Sequence, residues 1–314
     1  MALRNSPRIK AETRKLIHDT ARELNYTPNL LALSFRSNRT FNIGVVVPDI
    51  HHHFFSKFIS EFSKLAYKNG YSIMVFQSSE QLEIEKQNVE VLLKNQVDGI
   101  AASISIETID DSHFQRVIDA NVPLVLFDRV PESLKVNKVL VNNYDGAYKA
   151  VELLIKAGKR KIAHITGPCG INVYGDRLKG YKAALADFQI PFHGEYLIIG
   201  GFYLADGMRA AEQLMFLSDK PDAIFTVGDD LAVGVMKYLK NEGVKIPDDI
   251  AVIGFDNDPV GIAIDPELTT VEQPVQQIAQ KTFELLIDQI QSEAPNVRQK
   301  SIILEPELIV RHSA

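Results

Sequence analysis

Short, uninterrupted runs of branched apolar residues recur along this chain from Phe41 onward, each followed by a longer amphipathic stretch. Residues 43–47, 71–76, 99–102 and 122–127 read as strands, with helices at 54–69, 80–95 and 112–120 between them. The pattern then starts again, with strands at 161–166, 196–199, 223–227 and 251–255 and helices at 176–188, 205–217 and 230–242. A continuous Val/Ile run marks a strand buried on both faces, and a parallel sheet needs helical crossovers to cover those faces. The fold class that follows is α/β: two lobes, each a parallel sheet flanked by helices, with a cleft between them. A long helix at 274–291 carries Val275, Ile278, Ala279, Phe283, Leu286 and Ile290 on one stripe. It is expected to return the chain to the first lobe, with short strands following at 301–304 and 308–310.

Charge sets the first 40 residues apart. They hold eight Lys/Arg against three acids, a net of +5, whereas the remainder holds 26 basic and 37 acidic residues, a net of −11. A basic arm on an acidic body suits a phosphate-seeking appendage on a soluble core; a solvated helix accounts for the charge equally well. The 314 residues suit two domains of roughly 100–200 residues plus this arm. The single cysteine, Cys169, excludes an internal disulfide framework, and no apolar run reaches the roughly 18 residues of a membrane span. The start lacks the apolar core of a secretory signal, so the expected compartment is the cytoplasm.

Ligands in open parallel sheets sit beyond the carboxyl ends of the strands, and polar residues follow the strands at Asp49, Gln77, Asp128, Asp229 and Asp256. Each carboxylate has a plainer reading as a helix cap in a polar loop. Phe54, Phe55, Tyr174 and Phe202 are candidates to stack against a ligand ring, with ordinary core packing as the alternative. His51, His52 and His53 cannot all face one point from a regular strand or helix, and no Cys/His partner spacing accompanies them, so no metal is assigned and the run is expected to be a loop bordering the cleft, where a histidine can make a pH-sensitive contact. The chain contains no G-x-x-x-x-G-K-[ST], G-x-S-x-G or H-E-x-x-H, and no G-x-G-x-x-G after the first strand. An enzyme is not expected, nor is a cofactor.

Eight strings in order, "SPRIKAETRKLIHDTARELNYTPN", "IGVVVPDI...FF", "VDGI", "LFDR", "RLKGYKAAL", "GDDLAVG", "VIGFDNDP" and "LTTVEQP", resemble the lactose-repressor (LacI) family of bacterial transcription regulators over nearly the whole chain. The resemblance implies a helix-turn-helix headpiece, a hinge helix and a dimeric, two-lobed core of periplasmic-binding-protein type. It divides the chain into a headpiece remnant and hinge at 1–40, an amino-terminal lobe at 41–142 plus 274–295, and a carboxyl-terminal lobe at 143–273 plus 296–314. Residues 8–24 would be the last headpiece helix and 28–35 the hinge, with Pro28, Asn29, Ala32 and Phe35 toward DNA and Phe35 where the family usually has Leu. A helix of about eight residues is marginal alone and orders when something packs on it, here the partner hinge and the minor groove. No helix-turn-helix precedes Arg8, so the chain is expected to begin part-way through a headpiece and to bind operator DNA only with that headpiece complete.

In the core, the resemblance assigns Asp128, Arg177 and Asp256 to a small polyhydroxylated effector, such as a sugar, because two carboxylates and a guanidinium fork can bridge vicinal hydroxyls; the Arg177 fork equally fits a carboxylate or phosphate. Gln273 and Asp229 join them, while Gly228 stands where the family often has Asn. Dimer contacts are implied on the helices at 54–68 and 80–94. The expected function is a ligand-responsive repressor, homodimeric and without membrane attachment. A transporter's solute-binding protein shares the architecture but needs export, and a sugar sensor without DNA function is the other alternative.

Overall fold

The computed structural model describes residues 10–24, 39–292 and 299–314. The chain forms two units, Met1–Phe41 and Asn42–Ala314. Within the first, helix α1 (Ala11–Glu23) covers most of the span assigned above to the last headpiece helix. The hinge residues Pro28, Asn29, Ala32 and Phe35 lie outside the described residues.

The second unit contains two parallel sheets. Strands β1 (Asn42–Val47), β2 (Ser72–Gln77), β3 (Gly99–Ala102), β4 (Leu124–Phe127) and β5 (Asn137–Val141) form the first sheet together with β11 (Ser301–Leu304), in the order β11-β5-β4-β3-β1-β2. Alternate residues of β1 serve different faces. Ile43, Val45 and Val47 pack with Phe58 and Phe62 of α2 (His53–Lys68) and Ile278 of α9 (Val275–Gln291). Val46 packs on the other face with Leu92 of α3 (Leu82–Lys94) and Phe114 of α4 (Ser112–Asp119). This two-sided burial is what an unbroken Val run requires.

The second sheet has the order β7-β6-β8-β9, built from β6 (Ile162–Thr166), β7 (Leu197–Ile199), β8 (Ala223–Thr226) and β9 (Ala251–Ile253). Helices α5 (Asn143–Lys156) and α6 (Asn172–Asp187) cover one face. Helices α7 (Leu204–Met215) and α8 (Asp229–Asn241) cover the other. A short antiparallel pair, β10 (Thr270–Glu272) with β12 (Glu307–Ile309), lies beside this lobe, Val271 and Leu308 packing into its core.

The chain crosses between lobes three times: from β5 to α5, from β10 to α9, and from β11 to β12. Two features depart from the sequence reading. Strand β5 and helix α5 are additional to the elements it named. Residues 296–304 were assigned there to the carboxyl-terminal lobe, yet β11 pairs in parallel with β5 in the first sheet, with Ile302 and Leu304 packed on that lobe's core. The last crossover therefore follows Leu304.

One core residue gives the second lobe a pH signature. His164, on β6, has no exposed surface and lies between the rings of Tyr181 and Phe225, at centroid distances of 5.0 and 4.8 Å. Its Nδ1–H donates to the Phe225 carbonyl at 3.1 Å, while Nε2 is buried without a partner. Burial pushes the imidazole down to about 4. The unfolded chain then binds a proton that the fold refuses, so this contribution to stability is lost as pH falls from the ordinary value near 6.5 toward 4. The loss amounts to about 3 kcal/mol for one fully buried group. Urea unfolding of wild type and His164→Leu at pH 7 and pH 4.5 checks this: the variant should lack most of that slope, and a stability difference independent of pH would contradict it.

Candidate functional site

Strands buried on both faces leave only their ends for chemistry, and the carboxyl ends of β4, β8 and β9 meet at the cleft between the lobes. Asp128 follows β4 and Asp256 follows the end of β9, both at positive φ, 58° and 107°. A non-glycine residue held there is strained, and such strain concentrates at functional positions. Backbone bonds hold both: Asp128 N–H donates to Val139 O at 3.1 Å and Asp256 N–H to Val271 O at 2.8 Å. Arg177 comes from α6 and is 3% exposed. Its Nε donates to Asn143 Oδ1 at 2.8 Å, its Nη1 to the Val227 carbonyl at 2.6 Å, and its guanidinium lies 3.6 Å from the Phe255 ring centroid. Among the described residues its Nη2 donates to no protein group.

Burial raises Asp128, against the pull of Arg129 and Arg177. Burial likewise raises Asp256 to about 6, against Arg177 and the 2.6 Å hydrogen bond from Gln273 Nε2. Asp258 is pushed up to about 9 by burial and by the negative Asp256 and Asp229 beside it. Asp229 is raised well above the usual range, chiefly by burial. Its carboxylate faces inward: Oδ1 accepts from Thr270 Oγ1 at 2.6 Å and Oδ2 from Asp258 N–H at 2.7 Å. A Cβ on Gly254 would sit 2.0 Å from Asp229 Oδ1, so glycine is needed at 254 to admit that carboxylate.

Aromatic rings complete the lining. Tyr174 and Phe202 stack at 5.2 Å, and Phe54 and Phe55 meet edge to face at 5.0 Å. Arg129 lies 5.3 to 5.7 Å from the rings of Phe55, Tyr174 and Phe202. Its Nη1 grips Glu80 at 2.7 and 3.0 Å, and its Nη2 donates to Tyr174 Oη at 2.6 Å. Burial alone would lower this guanidinium, but Tyr174 and Glu80 outweigh it and raise it. Buried cation and anion thus compensate each other, and an aromatic clamp holds the cation.

The lobes touch directly across the cleft. Asn172 of the second lobe accepts from Val130 N–H at 2.9 Å and donates to Asp128 O at 3.0 Å. Tyr203 Oη donates to Asp49 Oδ2 at 2.7 Å, and the Tyr203 ring stacks on His52 at 5.4 Å. Burial would raise Asp49, but hydrogen bonds from His51 N–H and Tyr203 hold it below the usual range. The three consecutive histidines go separate ways: His51 to Asp49, His52 to Tyr203, and His53 to the start of α2.

Residues 151–314 match the periplasmic binding protein-like domain family. The chain is 31% identical to the HTH-type transcriptional repressor PurR of Vibrio atlanticus over 310 residues, 98% of this chain and 91% of that protein. This chain belongs to the LacI family of transcriptional regulators. Two solved relatives are complexes with sugars. The transcriptional regulator CelR in complex with cellobiose is 27% identical with a TM-score of 0.80, over 100% of this chain and 94% of that one. A LacI family regulator from Enterococcus faecium with bound ribose is 26% identical with a TM-score of 0.76, over 87% and 98%. The relatives are regulators rather than enzymes, and among the described residues no helix is long and apolar enough to cross a membrane.

In this LacI-family chain, Asp128, Arg177, Asp256, Gln273, Asp229, Phe54, Phe55, Tyr174 and Phe202 all border one cleft, which holds about 530 Å3 of space partly open to solvent. Asp229 differs from the rest in that both its oxygens are engaged within the protein. The sequence reading gave no role to Arg129 or Asp258, which border the same cleft, while His52 lines it as expected of a loop bordering the cleft. Arg129 and Asp258 lie inside the strings "LFDR" and "VIGFDNDP", each beside a residue that was selected.

Tyr203→Phe keeps the ring on His52 and removes the donor to the buried Asp49. It should destabilise the protein by about 1–3 kcal/mol in urea unfolding at neutral pH, the cost of leaving a buried acceptor short of a donor. The radius of gyration from small-angle scattering should rise as the lobes part; no change in either quantity would mean that this bond does not hold them.

Proposed function

We propose that this LacI-family regulator senses a small polyhydroxylated effector, a sugar or sugar derivative, in the cleft between its lobes. The observation that carries the reading is the convergence of Asp128 from the first lobe with Arg177 and Asp256 from the second at one buried cleft. A sugar hydroxyl both donates and accepts, so two carboxylates and one guanidinium edge suit a vicinal pair. Phe54, Phe55, Tyr174 and Phe202 offer apolar faces to the ring, and Gln273 orients Asp256 through its amide. The sugar complexes of the two solved relatives support the same class. Asp229 shapes the wall from behind rather than touching the effector.

In this reading the protein acts as a repressor in the cytoplasm, as a homodimer bound to operator DNA through a complete headpiece. The hinge positions Pro28, Asn29, Ala32 and Phe35 carry the minor-groove contact. Effector binding sets the angle between the lobes and, with it, the spacing of the paired hinges. The effect on DNA equals the difference in effector affinity between the two arrangements.

A thermal-shift screen of pentoses, hexoses, disaccharides and sugar derivatives tests the site. At least one compound should raise the melting temperature of the wild-type protein. Asp256→Asn should weaken that compound by about 10- to 150-fold, the equivalent of roughly 1.5–3 kcal/mol for a hydrogen bond to a charged group. A sugar that binds wild type, Asp256→Asn and Asp128→Asn equally well would place its site elsewhere.

A further inference from the structure

The polar groups around the cleft are unbalanced in their hydrogen bonding. Asp258 Oδ1 and Gln273 Oε1 are both buried acceptors without a partner, on residues 9% and 3% exposed. The Gln273 assignment is fixed by its other amide atom, since only Nε2 can donate to Asp256 Oδ1. Among the described residues no side chain donates to the Asp128 carboxylate. Most guanidinium donors at hand are already committed: Arg177 Nε and Nη1 to Asn143 and Val227, and Arg129 Nη1 and Nη2 to Glu80 and Tyr174. Acceptors wait for donors, and among the described residues Arg177 Nη2 and Arg129 Nε are the guanidinium atoms left over.

The charge is unbalanced in the same direction. Asp128, Asp229, Asp230, Asp256 and Asp258 border the cleft; burial pushes Asp229 and Asp258 toward their neutral forms, which leaves Asp128, Asp230 and Asp256 against Arg177, Arg129 being already neutralised by Glu80. Groups facing Asp258 are Asp256 from its own loop, Asp229 and Asp230 from α8, and Lys57 from α2. Lys57 is the one cation of that set, and its ammonium lies 3.9 Å from Glu272. A phosphate or carboxylate ligand would meet net repulsion here. A hydroxyl brings one donor per oxygen and adds an acceptor to a site already rich in them. An ammonium brings three donors, a positive charge and no acceptor.

We propose that the effector is an amino sugar or amino polyol, with its ammonium group held by Asp258 and the adjoining Asp256–Gln273 pair. This deepens the sugar reading and rests on it. Asp258 is then the residue that selects amine over hydroxyl. Because burial and its negative neighbours hold Asp258 at about 9, the empty site keeps a proton on this carboxyl at neutral pH. When the ammonium arrives, that proton leaves the Asp258 carboxyl for the buffer, and an ammonium–carboxylate pair remains. A neutral sugar drives no such release.

The test uses matched pairs, namely D-glucosamine and D-glucose, D-galactosamine and D-galactose, D-mannosamine and D-mannose, and 1-amino-1-deoxy-sorbitol and sorbitol. Each is titrated calorimetrically into the full chain in phosphate and in HEPES at pH 7. The expected result is that an amine binds at least about ten-fold tighter than its parent, as a charge-assisted bond would give. Its apparent enthalpy should differ between the buffers by the heat of releasing one proton. Asp258→Asn, which keeps the shape, should cut the ratio of amine to parent affinity at least ten-fold. Neutral parents that bind as tightly as their amines, or a wild-type preference that survives Asp258→Asn, overturn the amine proposal and leave the sugar reading standing. If propylamine binds as well as the amino sugars, or if the neutral and amino members all fail to bind, the polyhydroxyl reading itself falls and takes the proposal with it.

Discussion

Arg177 is buried at 3% exposure, and a cation removed from water has to be compensated where it stands. The compensation comes from every side of the cleft. Asn143 and the Val227 carbonyl accept two of its donors, Phe255 lies beneath the guanidinium plane, and Asp128 and Asp256 supply the opposing charge. The carboxylates depend on it in return, since burial pushes both upward and Arg177 pulls both down. Asp128 belongs to the first lobe and Asp256 to the second, so Arg177 is fully compensated only while both carboxylates stay near it.

That dependence reaches the joints between the lobes. Asn143 is the first residue of α5, immediately after the first crossover, and Gln273 lies within the second. Asn143 holds Arg177 and Gln273 holds Asp256, so two of the three crossovers brace groups that face the cleft. The third is tied to the first: Asn142 N–H donates to Leu304 O at 2.9 Å, and Asn142 Nδ2 reaches Glu305 at 3.1 to 3.2 Å. Groups that face the cleft are therefore bonded directly to the segments that join the lobes, without any intervening chain of contacts. Small shifts in packed elements convert to discrete rearrangements because such interfaces do not deform continuously.

The sequence was most legible where burial imposes a pattern. The eight apolar runs read as strands are strands, and the residues just after β4 and β9 are the cleft carboxylates. It was least legible where a partner far along the chain decides the outcome. Strand β5 is masked by Asn137 and Lys138, whose partners are the Lys300 N–H for Asn137 Oδ1 and the Pro131 carbonyl for Lys138 Nζ. The first half of helix α5 buries only the small Gly146, Ala147 and Ala150, with Val151, Leu154 and Ile155 buried further on, because α6 packs so close that a Cβ on Gly180 would sit 2.2 Å from Tyr144 O. The pairing of β11 with β5 joins segments more than 160 residues apart and has no local signal. Arg129 followed a selected residue, but nothing in its neighbourhood pointed to Glu80, 49 positions earlier. Arg177 was found through family resemblance, since a basic residue on a helix carries no mark of the cavity it will face.

The contacts between Asp49 and Tyr203, Arg129 and Tyr174, and Asn172 and Asp128 join the lobes through protein groups alone. An effector acts by shifting the population of the arrangement that these contacts stabilise. A shift requires different affinity for the two arrangements, and coupling in such systems is typically about 1–3 kcal/mol. A ligand resting on one lobe would bind open and closed forms alike and shift nothing, however tightly it bound. Under the proposed function, the effector must reach Asp128 on one side and Arg177, Asp256 or Asp258 on the other within a single molecule. It gains contacts only as the lobes approach. The division of these groups between the lobes, Arg177, Asp256 and Asp258 on one side and Asp128 on the other, is then what turns binding into a change of lobe angle.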